Sequence, residues 1–177
     1  PAADDEFASL LTERQLQARL AGQLKSSGFV VANADDVHLA PLIDELTCPV
    51  MTYGRRGAAE ITATILERSL SEQVFLLHAG NETMPVCTHM IGDHHVQHCL
   101  AAAAVGLVLG VPLATIARGL ESQRFMPGRL ERIECGQPFG VFVDYARTPE
   151  MLAAALKALR LVTKGRIWCV LGAAGER

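Results

Sequence analysis

Two short runs of β-branched and apolar residues enclose a helical segment in the first third of the chain. Residues 29–32 and 50–53 are typical of buried strands, and residues 36–46 between them have the apolar spacing of a helix. A further helix is predicted over residues 10–24, where leucines recur on one helical face. This alternation predicts parallel strands joined by crossover helices, so the chain is expected to belong to the α/β class.

The pattern changes after residue 60. Three β-type runs, at residues 61–66, 74–78 and 84–90, are separated by polar turns and predict a small antiparallel meander. Two helices are predicted next, at residues 95–110 and 112–122.

The last third of the chain opens with residues 124–128, which have no periodicity and are typical of a linker. A hairpin, a helix and a further strand are predicted beyond it, at residues 130–134 with 139–145, 149–162 and 166–171. They would form a second β-α-β unit. We therefore expect one domain over residues 1–123 and the start of another over residues 124–177.

Composition limits the partners that the chain can have. Half of its 177 residues are hydrophobic, the formal net charge is −3, and the 16 Lys and Arg residues are scattered. A nucleic-acid footprint or a membrane-surface patch is therefore not expected, and small molecules are the expected partners. The longest apolar run, residues 99–117, is interrupted by glycine and proline and predicts a broken pair of helices, not a membrane span. Five cysteines without a CxxC pair favour a reducing, cytoplasmic location.

Several short motifs carry a resemblance to one family. The segments at residues 128–131, 144–149 and 170–177 read G-R-L-E, D-Y-A-R-T-P and V-L-G-A-A-G-E-R. They resemble the G-R-M/F-E, D-Y-A-H-T-P and V-F-G-x-G-G-D-R motifs of Mur ligases. Residues 33–36, N-A-D-D, and 92–98, G-D-H-H-V-Q-H, resemble the N-A-D-D and G-x-F-N-V-x-N motifs of the family's central domain. The resemblance covers nearly the whole chain and is closest to the ligases that add the third residue of the stem peptide.

The resemblance implies a fold and an activity. It places the later part of the central ATPase domain, a parallel sheet with helices and a small meander, in residues 1–123. The start of a Rossmann-like C-terminal domain falls in residues 124–177. The implied reaction uses ATP and Mg²⁺ to phosphorylate the carboxylate of a UDP-muramoyl peptide, and the amine of an amino acid attacks the acyl phosphate. The implied state is a cytoplasmic monomer.

Two residues match nucleotide contacts of the family. Arg129 matches an arginine near the ATP phosphates, where a planar guanidinium can bind two oxygens at once. Asp144 matches an aspartate that accepts from the ribose hydroxyls. The alternatives are a surface arginine on a linker and a cap for the helix that begins at Pro149.

Three departures from the family motifs fall at positions that would contact the nucleotide. His95 and His98 replace both asparagines of N-x-x-N, and Arg147 replaces the histidine of D-Y-A-H-T-P. The resemblance still assigns all three to the nucleotide side, with His98 hydrogen-bonding adenine and Arg147 meeting a phosphate. A degraded active site is consistent with the same substitutions.

Two catalytic parts of the family have no counterpart in the chain. It contains no G-x-x-x-x-G-K-[ST] phosphate loop, and Gln17 occupies the position of the lysine that the family carbamoylates to hold magnesium. We therefore expect no ATPase activity from this chain alone. A catalytically degenerate Mur-like protein that binds a nucleotide or a protein partner is the alternative function.

Cysteines and histidines are concentrated between residues 87 and 99. The six residues are Cys87, His89, His94, His95, His98 and Cys99. Because their spacing matches no zinc signature, we expect no metal site, with a pair of zinc ligands at His94 and His98 as the alternative.

Overall fold

The structure of the protein is a computed structural model that describes residues 23–25 and 27–172. The helix predicted over residues 10–24 lies almost entirely outside these residues. The described strands are β1 Val30–Asn33, β2 Val50–Tyr53, β3 Ile61–Arg68, β4 Gln73–Ala79, β5 Glu82–Thr88, β6 Glu131–Ile133 and β7 Val141–Val143. The described helices are α1 Ala40–Glu45, α2 Asp93–Val108, α3 Leu113–Ser122 and α4 Pro149–Val162.

The first five strands form one mixed sheet in the order β1-β2-β3-β4-β5. β1 and β2 are parallel with Val30 opposite Val50, and β2 joins β3 in parallel through the single pair Tyr53 and Ile61. β3, β4 and β5 are antiparallel to one another. The α/β class, the parallel pair and the meander are therefore confirmed, and the meander extends the parallel sheet.

α1 is shorter than the helix predicted over residues 36–46. The Asp36 carboxylate accepts a hydrogen bond at 2.9 Å from the main-chain N–H of His38. This local bond stabilises a turn in place of the first helical turn, because short polar side chains compete with the helix for main-chain donors.

The main core lies between the mixed sheet and helices α2 and α3. Phe75 and Leu77 alternate along one face of β4 and are fully buried, as the two-residue repeat of a strand requires. Leu100 of α2 and Leu113 of α3 pack in the same cluster. The apolar run at residues 99–117 is thus the end of α2 and the start of α3, and none of the described helices is long and apolar enough to cross a membrane.

A second, smaller core lies beside the β6–β7 hairpin and α4. Leu130, Ala155 and Ala158 are buried there together with Ile91, which precedes α2. The hairpin pairs Glu131 with Val143 in antiparallel register, as predicted. This core therefore links the C-terminal part of the chain to the segment that leads into α2.

The strand predicted over residues 166–171 is wrong. No strand forms in that part of the described chain, and the side chains of Trp168 and Val170 are 81% and 98% exposed. A strand requires a hydrogen-bonded neighbour, and among the described residues β7 pairs with β6 alone. The hairpin and α4 form as predicted, but the β-α-β unit is not closed.

Candidate functional site

The first two turns of α2 present three histidine rings to one another. The helix follows Gly92, which has a φ of 102°, a value that glycine adopts without steric cost. The ring centroid of His94 lies 4.3 Å from that of His95 and 6.2 Å from that of His98, and the rings of His95 and His98 are 5.7 Å apart. We call these three residues the histidine cluster.

Arg129 and Asp144 lie close enough to the histidine cluster to act on its charge. Burial lowers the pKa of His94, as do His98 and the Arg129 guanidinium, whereas the carboxylates of Asp144 and Asp93 raise it. Partial burial and Arg129 also lower the pKa of His98. The structure therefore brings Arg129, Asp144, His95 and His98, four of the predicted site residues, to the start of α2.

His95 is the most perturbed member of the cluster. Its side chain is fully buried, and neither ring nitrogen has a hydrogen-bond partner. Burial, followed by the proximity of His94 and His98, lowers the pKa of His95 to about 3. The main chain of Arg129 acts to raise the pKa of His95, although neither ring nitrogen makes a hydrogen bond of ordinary geometry. The imidazole is therefore neutral at neutral pH, with one nitrogen free to donate and the other to accept.

Asp144 is held by the hairpin that carries it. Its Oδ2 accepts a hydrogen bond at 2.8 Å from the main-chain N–H of Leu130. The main-chain N–H of Tyr145 donates to the carbonyl of Gly128 at 2.8 Å, and the main-chain N–H of Gly128 donates to Glu131 at 2.9 Å. These bonds fix the segment around Arg129 against the end of β7.

The cap of α4 is a different residue from the one considered in the sequence. The Thr148 hydroxyl accepts a hydrogen bond at 3.3 Å from the main-chain N–H of Met151, so Asp144 remains available for another partner. Arg147 is exposed, and its guanidinium lies 4.4 Å from the centroid of the Tyr145 ring, where it also donates to the phenol oxygen. Its contacts are thus with Tyr145 and not with the histidine cluster.

A cleft of about 460 Å³ opens along the β6 segment. Its polar and aromatic lining residues include Ser71, His89, Arg124, Phe125, Arg129 and Arg132. Arg129 is common to this cleft and to the surroundings of the histidine cluster. The arginine therefore lies at the border of a concave surface between the β3–β5 part of the sheet and the hairpin.

The concentration of cysteines and histidines at residues 87–99 does not form a metal centre in the described part of the chain. No group of three His, Cys, Asp or Glu residues there is arranged to hold a metal ion. Cys99 is buried in the main core, which raises its pKa to about 11, and His89 lines the cleft. Cys87 lies beside Glu72, to which its thiol donates a hydrogen bond at 3.7 Å. The fold therefore separates Cys87, His89 and Cys99 from the three residues of the histidine cluster.

Asp93 was missed by the sequence analysis, which began α2 at residue 95. Its carboxylate binds the guanidinium of Arg55 at 3.0 Å and that of Arg68 at 2.8 Å. Burial raises the pKa of Asp93, but hydrogen bonds from Arg68 and Arg55 outweigh this effect and hold it below its ordinary value. An acidic residue next to a glycine before a helical run was the available signal, since carboxylates favour the first turn of a helix.

Asp35, in the N-A-D-D segment, fixes the loop that carries Arg55. Its carboxylate accepts from the main-chain N–H groups of Arg55 and Arg56, at 2.8 Å each, and of Gly57 at 3.3 Å. The Gln97 amide of α2 donates to the same carboxylate at 3.1 Å. This motif therefore connects the end of β1 to the loop after β2 and to α2.

The chemistry gathered at the start of α2 suits a nucleotide. A guanidinium binds phosphate oxygens, a carboxylate accepts from a ribose diol, and neutral imidazoles hydrogen-bond a heteroaromatic base. These three kinds of group line a helix N-terminus, which itself favours an anion.

Comparison with known proteins gives the class. The family model for the Mur ligase middle domain matches residues 4–106, more than half of the chain, and that for the Mur ligase glutamate ligase domain matches residues 128–177. The chain belongs to the Mur ligase family.

Individual members of the family also match the chain. The chain is 38% identical over 172 residues to the UDP-N-acetylmuramoyl-L-alanyl-D-glutamate–2,6-diaminopimelate ligase of Halalkalibacterium halodurans, covering 97% of this chain and 34% of the relative. Among solved structures, MurF from Acinetobacter baumannii matches with a TM-score of 0.74 and 26% identity, covering 82% of this chain and 32% of that one. A UDP-N-acetylmuramoyl-L-alanyl-D-glutamate–2,6-diaminopimelate ligase matches with a TM-score of 0.70 and 26% identity, covering 93% and 34%. The chain thus spans about a third of the length of these proteins.

Proposed function

We propose that the protein is an ATP-dependent amide ligase that adds an amino acid to a UDP-N-acetylmuramoyl peptide. The observation that carries the proposal is the convergence of Arg129 and Asp144 on the histidine cluster in a chain of the Mur ligase family. The names of its relatives specify 2,6-diaminopimelate as the amino acid, and we propose the same amino acid for the full-length protein that contains this chain.

In this proposal each side chain binds a different part of ATP. Arg129 is exposed and has no carboxylate partner among the described residues, so its guanidinium is available for phosphate oxygens. Asp144 uses one oxygen for Leu130 and offers the other to the ribose hydroxyls. His98 is exposed and hydrogen-bonds the adenine ring, beside the buried, neutral His95. Arg147 reaches a phosphate only by leaving the Tyr145 ring.

The proposed reaction proceeds in two steps. The carboxylate of the UDP-muramoyl peptide attacks the γ-phosphorus of ATP, which forms an acyl phosphate and releases ADP. The amine of the amino acid then attacks the acyl carbon, and inorganic phosphate leaves as the amide forms. Magnesium accompanies ATP in this proposal, but the described residues offer no group of three ligands for it, so we assign no step to it.

We further propose a cytoplasmic monomer and a chain of two domains. The five free thiols support a reducing, cytoplasmic environment, and a monomer with small-molecule substrates is proposed by family resemblance. A domain boundary between residues 123 and 124 is supported by the separate family matches and by the main core, whose residues all precede it, whereas the second cluster takes only Ile91 from that side.

A Mur-like protein that binds a nucleotide without catalysis is the second candidate. It is favoured by Gln17 in place of the family lysine and by histidines in place of both asparagines. An amide at position 17 cannot supply the anionic oxygen of a carbamate. The two candidates share the nucleotide site and differ in turnover.

The first test is calorimetric titration of ATP and Mg²⁺ into the full-length protein that contains this chain. Arg129→Ala and Asp144→Ala are each expected to weaken binding by at least about tenfold, since charged hydrogen bonds contribute roughly 1.5–3 kcal/mol. Arg160→Ala is the matched control, because among the described residues the Arg160 guanidinium donates to the carbonyls of Thr163 and Gly165 at the end of α4 and to no part of the proposed site. An unsubstituted protein that does not bind ATP would overturn both candidates.

Turnover then separates the two candidates. The same protein is supplied with ATP, a UDP-muramoyl dipeptide and 2,6-diaminopimelate, and ADP release is measured together with the tripeptide product. Product formation supports the ligase. ATP binding without product supports the catalytically degenerate protein.

A further inference from the structure

The start of α2 is held in place by polar contacts from the sheet and the loop after β2. Asp93 binds Arg55 at 3.0 Å and Arg68 at 2.8 Å, so its carboxylate connects the loop after β2, the end of β3 and the first residue of α2. The buried Gln73 of β4 donates to the carbonyls of Met90 at 2.9 Å and Gly92 at 3.1 Å. These bonds converge on the helical turn that carries the histidine cluster.

We propose that Asp93 is a positioning residue for the nucleotide site, which holds the start of α2 so that the histidine cluster faces Arg129 and Asp144. This inference rests on the proposed nucleotide binding and goes beyond it, because Asp93 is not among the residues that are proposed to bind ATP.

The geometry restricts how the turn can move. Arg55 approaches Asp93 from the loop after β2 and Arg68 from the end of β3, and the Arg55 main chain is anchored in turn by Asp35. Two guanidinium groups from separate elements fix the orientation of a carboxylate as well as its distance, because guanidinium hydrogen bonds are directional. Asp93 precedes His94 directly, so a shift of the carboxylate carries the cluster with it.

The same turn has little freedom on its other side. A Cβ at Gly92 would come within 2.9 Å of Ala158 of α4 and 2.8 Å of the His94 ring. α2 is therefore clamped between the arginines and α4. Removing the charge from Asp93 releases one side of this clamp and leaves the apolar packing of α2 intact.

A purely structural role makes a different prediction from a positioning role. Arg55, Asp93 and Arg68 are 19%, 43% and 33% exposed, and partly exposed ion pairs contribute little to stability. A structural role would therefore lower the unfolding temperature slightly and leave nucleotide affinity unchanged at temperatures where the protein is folded. A positioning role lowers affinity without a matching loss of stability.

The test compares Asp93→Asn with Asp93→Glu in the full-length protein. ATP affinity in the presence of Mg²⁺ is measured by calorimetry, and the unfolding temperature by circular dichroism. Asp93→Asn is expected to weaken ATP binding about tenfold, the lower end of what residues that orient ligand-binding groups contribute at metal sites. Asp93→Glu keeps the charge and is expected to recover part of that loss. Glu60→Gln is the matched control, because the Glu60 carboxylate accepts from Thr52 of β2 at 2.7 Å and 3.1 Å and takes no part in the Asp93 ion pairs.

Arg68→Gln provides a second, milder variant in case Asp93→Asn does not fold. It removes one of the two guanidinium partners and leaves the Arg55–Asp93 pair. A weakening of ATP binding by Arg68→Gln, with Glu60→Gln unchanged, supports the positioning role. Unchanged affinity in the folded Asp93 and Arg68 variants, in a protein where Arg129→Ala does lose ATP, overturns it and leaves the proposed function intact. An unsubstituted protein that binds no ATP overturns both.

Discussion

Asp144 and Leu130 are joined by a hydrogen bond of 2.8 Å from the Leu130 main-chain N–H to the Asp144 carboxylate. Leu130 has a φ of 46°, the one positive value for a non-glycine residue in the described part of the chain, and its side chain is buried. The left-handed conformation costs an L-residue roughly 1–2 kcal/mol, which this bond and the burial of Leu130 offset. The proposed ribose contact therefore also supports the backbone next to Arg129.

Substitution of Asp144 separates these two roles. Asp144→Ala is expected to lower the free energy of unfolding by about 1–2 kcal/mol and to weaken ATP binding, because both the backbone bond and the ribose acceptor are lost. Asp144→Asn keeps an oxygen that can accept from Leu130, so most of the stability returns, whereas ATP affinity stays low without the charge. Urea denaturation and calorimetry measure the two quantities. Asparagine restoring both would show that the carboxylate acts only as a brace.

The histidine cluster predicts that stability falls in mild acid. The pKa of His95 is lowered from its ordinary value of 6.5 to about 3, so below pH 6.5 the unfolded chain binds a proton that the folded chain does not. The stability that the neutral His95 imidazole contributes is therefore fully present above pH 6.5 and is lost as the pH falls toward 3. His95 alone accounts for about 2 kcal/mol at pH 5, and the lowered pKa values of His94 and His98 act in the same direction.

The comparison of His95→Asn with the unsubstituted protein checks this effect. Asparagine does not titrate, so the difference in unfolding free energy between pH 7 and pH 5 is expected to shrink by about 2 kcal/mol. His38→Asn is the control, because His38 is exposed and lies away from the cluster. An equal pH dependence in the His95→Asn and unsubstituted proteins would contradict a buried neutral imidazole.

Much of the fold was predictable because its signals are local. β2 was predicted at its observed residues and α4 likewise, since a short run of β-branched and apolar residues and a proline at the first helical turn depend only on near neighbours. The strand predicted at residues 166–171 has an equally apolar sequence but forms no ladder. Strand pairing depends on a neighbour elsewhere in the chain, which a local pattern does not contain.

The residues of the candidate site were predictable from local motifs, whereas its long-range contacts were not. Arg129 and Asp144 were identified from motifs, and the structure places both near His95 and His98. The ion pairs of Asp93 with Arg55 and Arg68 join residues 38 and 25 positions apart in sequence, and no spacing rule predicts such contacts. Arg147 was assigned to a phosphate, but the structure stacks it on Tyr145, a neighbour whose competition for the guanidinium the motif did not reveal.

Three glycines distinguish conformational strain from steric contact. Gly92 has a φ of 102° and no space for a Cβ, Gly110 has a φ of 77° and open space, and Gly119 lies in α3 with open space. Alanine at Gly119 is expected to stabilise by up to about 1 kcal/mol, and at Gly110 to destabilise by about 1–2 kcal/mol. Gly92→Ala should cost more than Gly110→Ala, since contacts with His94 and Ala158 add to the strain. Thermal unfolding of the three variants gives this order, and equal losses at Gly92 and Gly110 would show that the contacts relax.

Thr148 is expected to stabilise α4 as its N-cap. Its hydroxyl accepts from the Met151 main-chain N–H at 3.3 Å, and it directly precedes Pro149, which favours the first helical turn. Thr148→Ala should lower the free energy of unfolding by about 1 kcal/mol, while Thr148→Ser, which keeps the hydroxyl, should lose much less. Urea denaturation of the two variants measures the difference. The contrary result is that both threonine variants match the unsubstituted protein while Asp144→Ala destabilises α4. Asp144 would then be the cap of α4, and its carboxylate would not be available to a ribose.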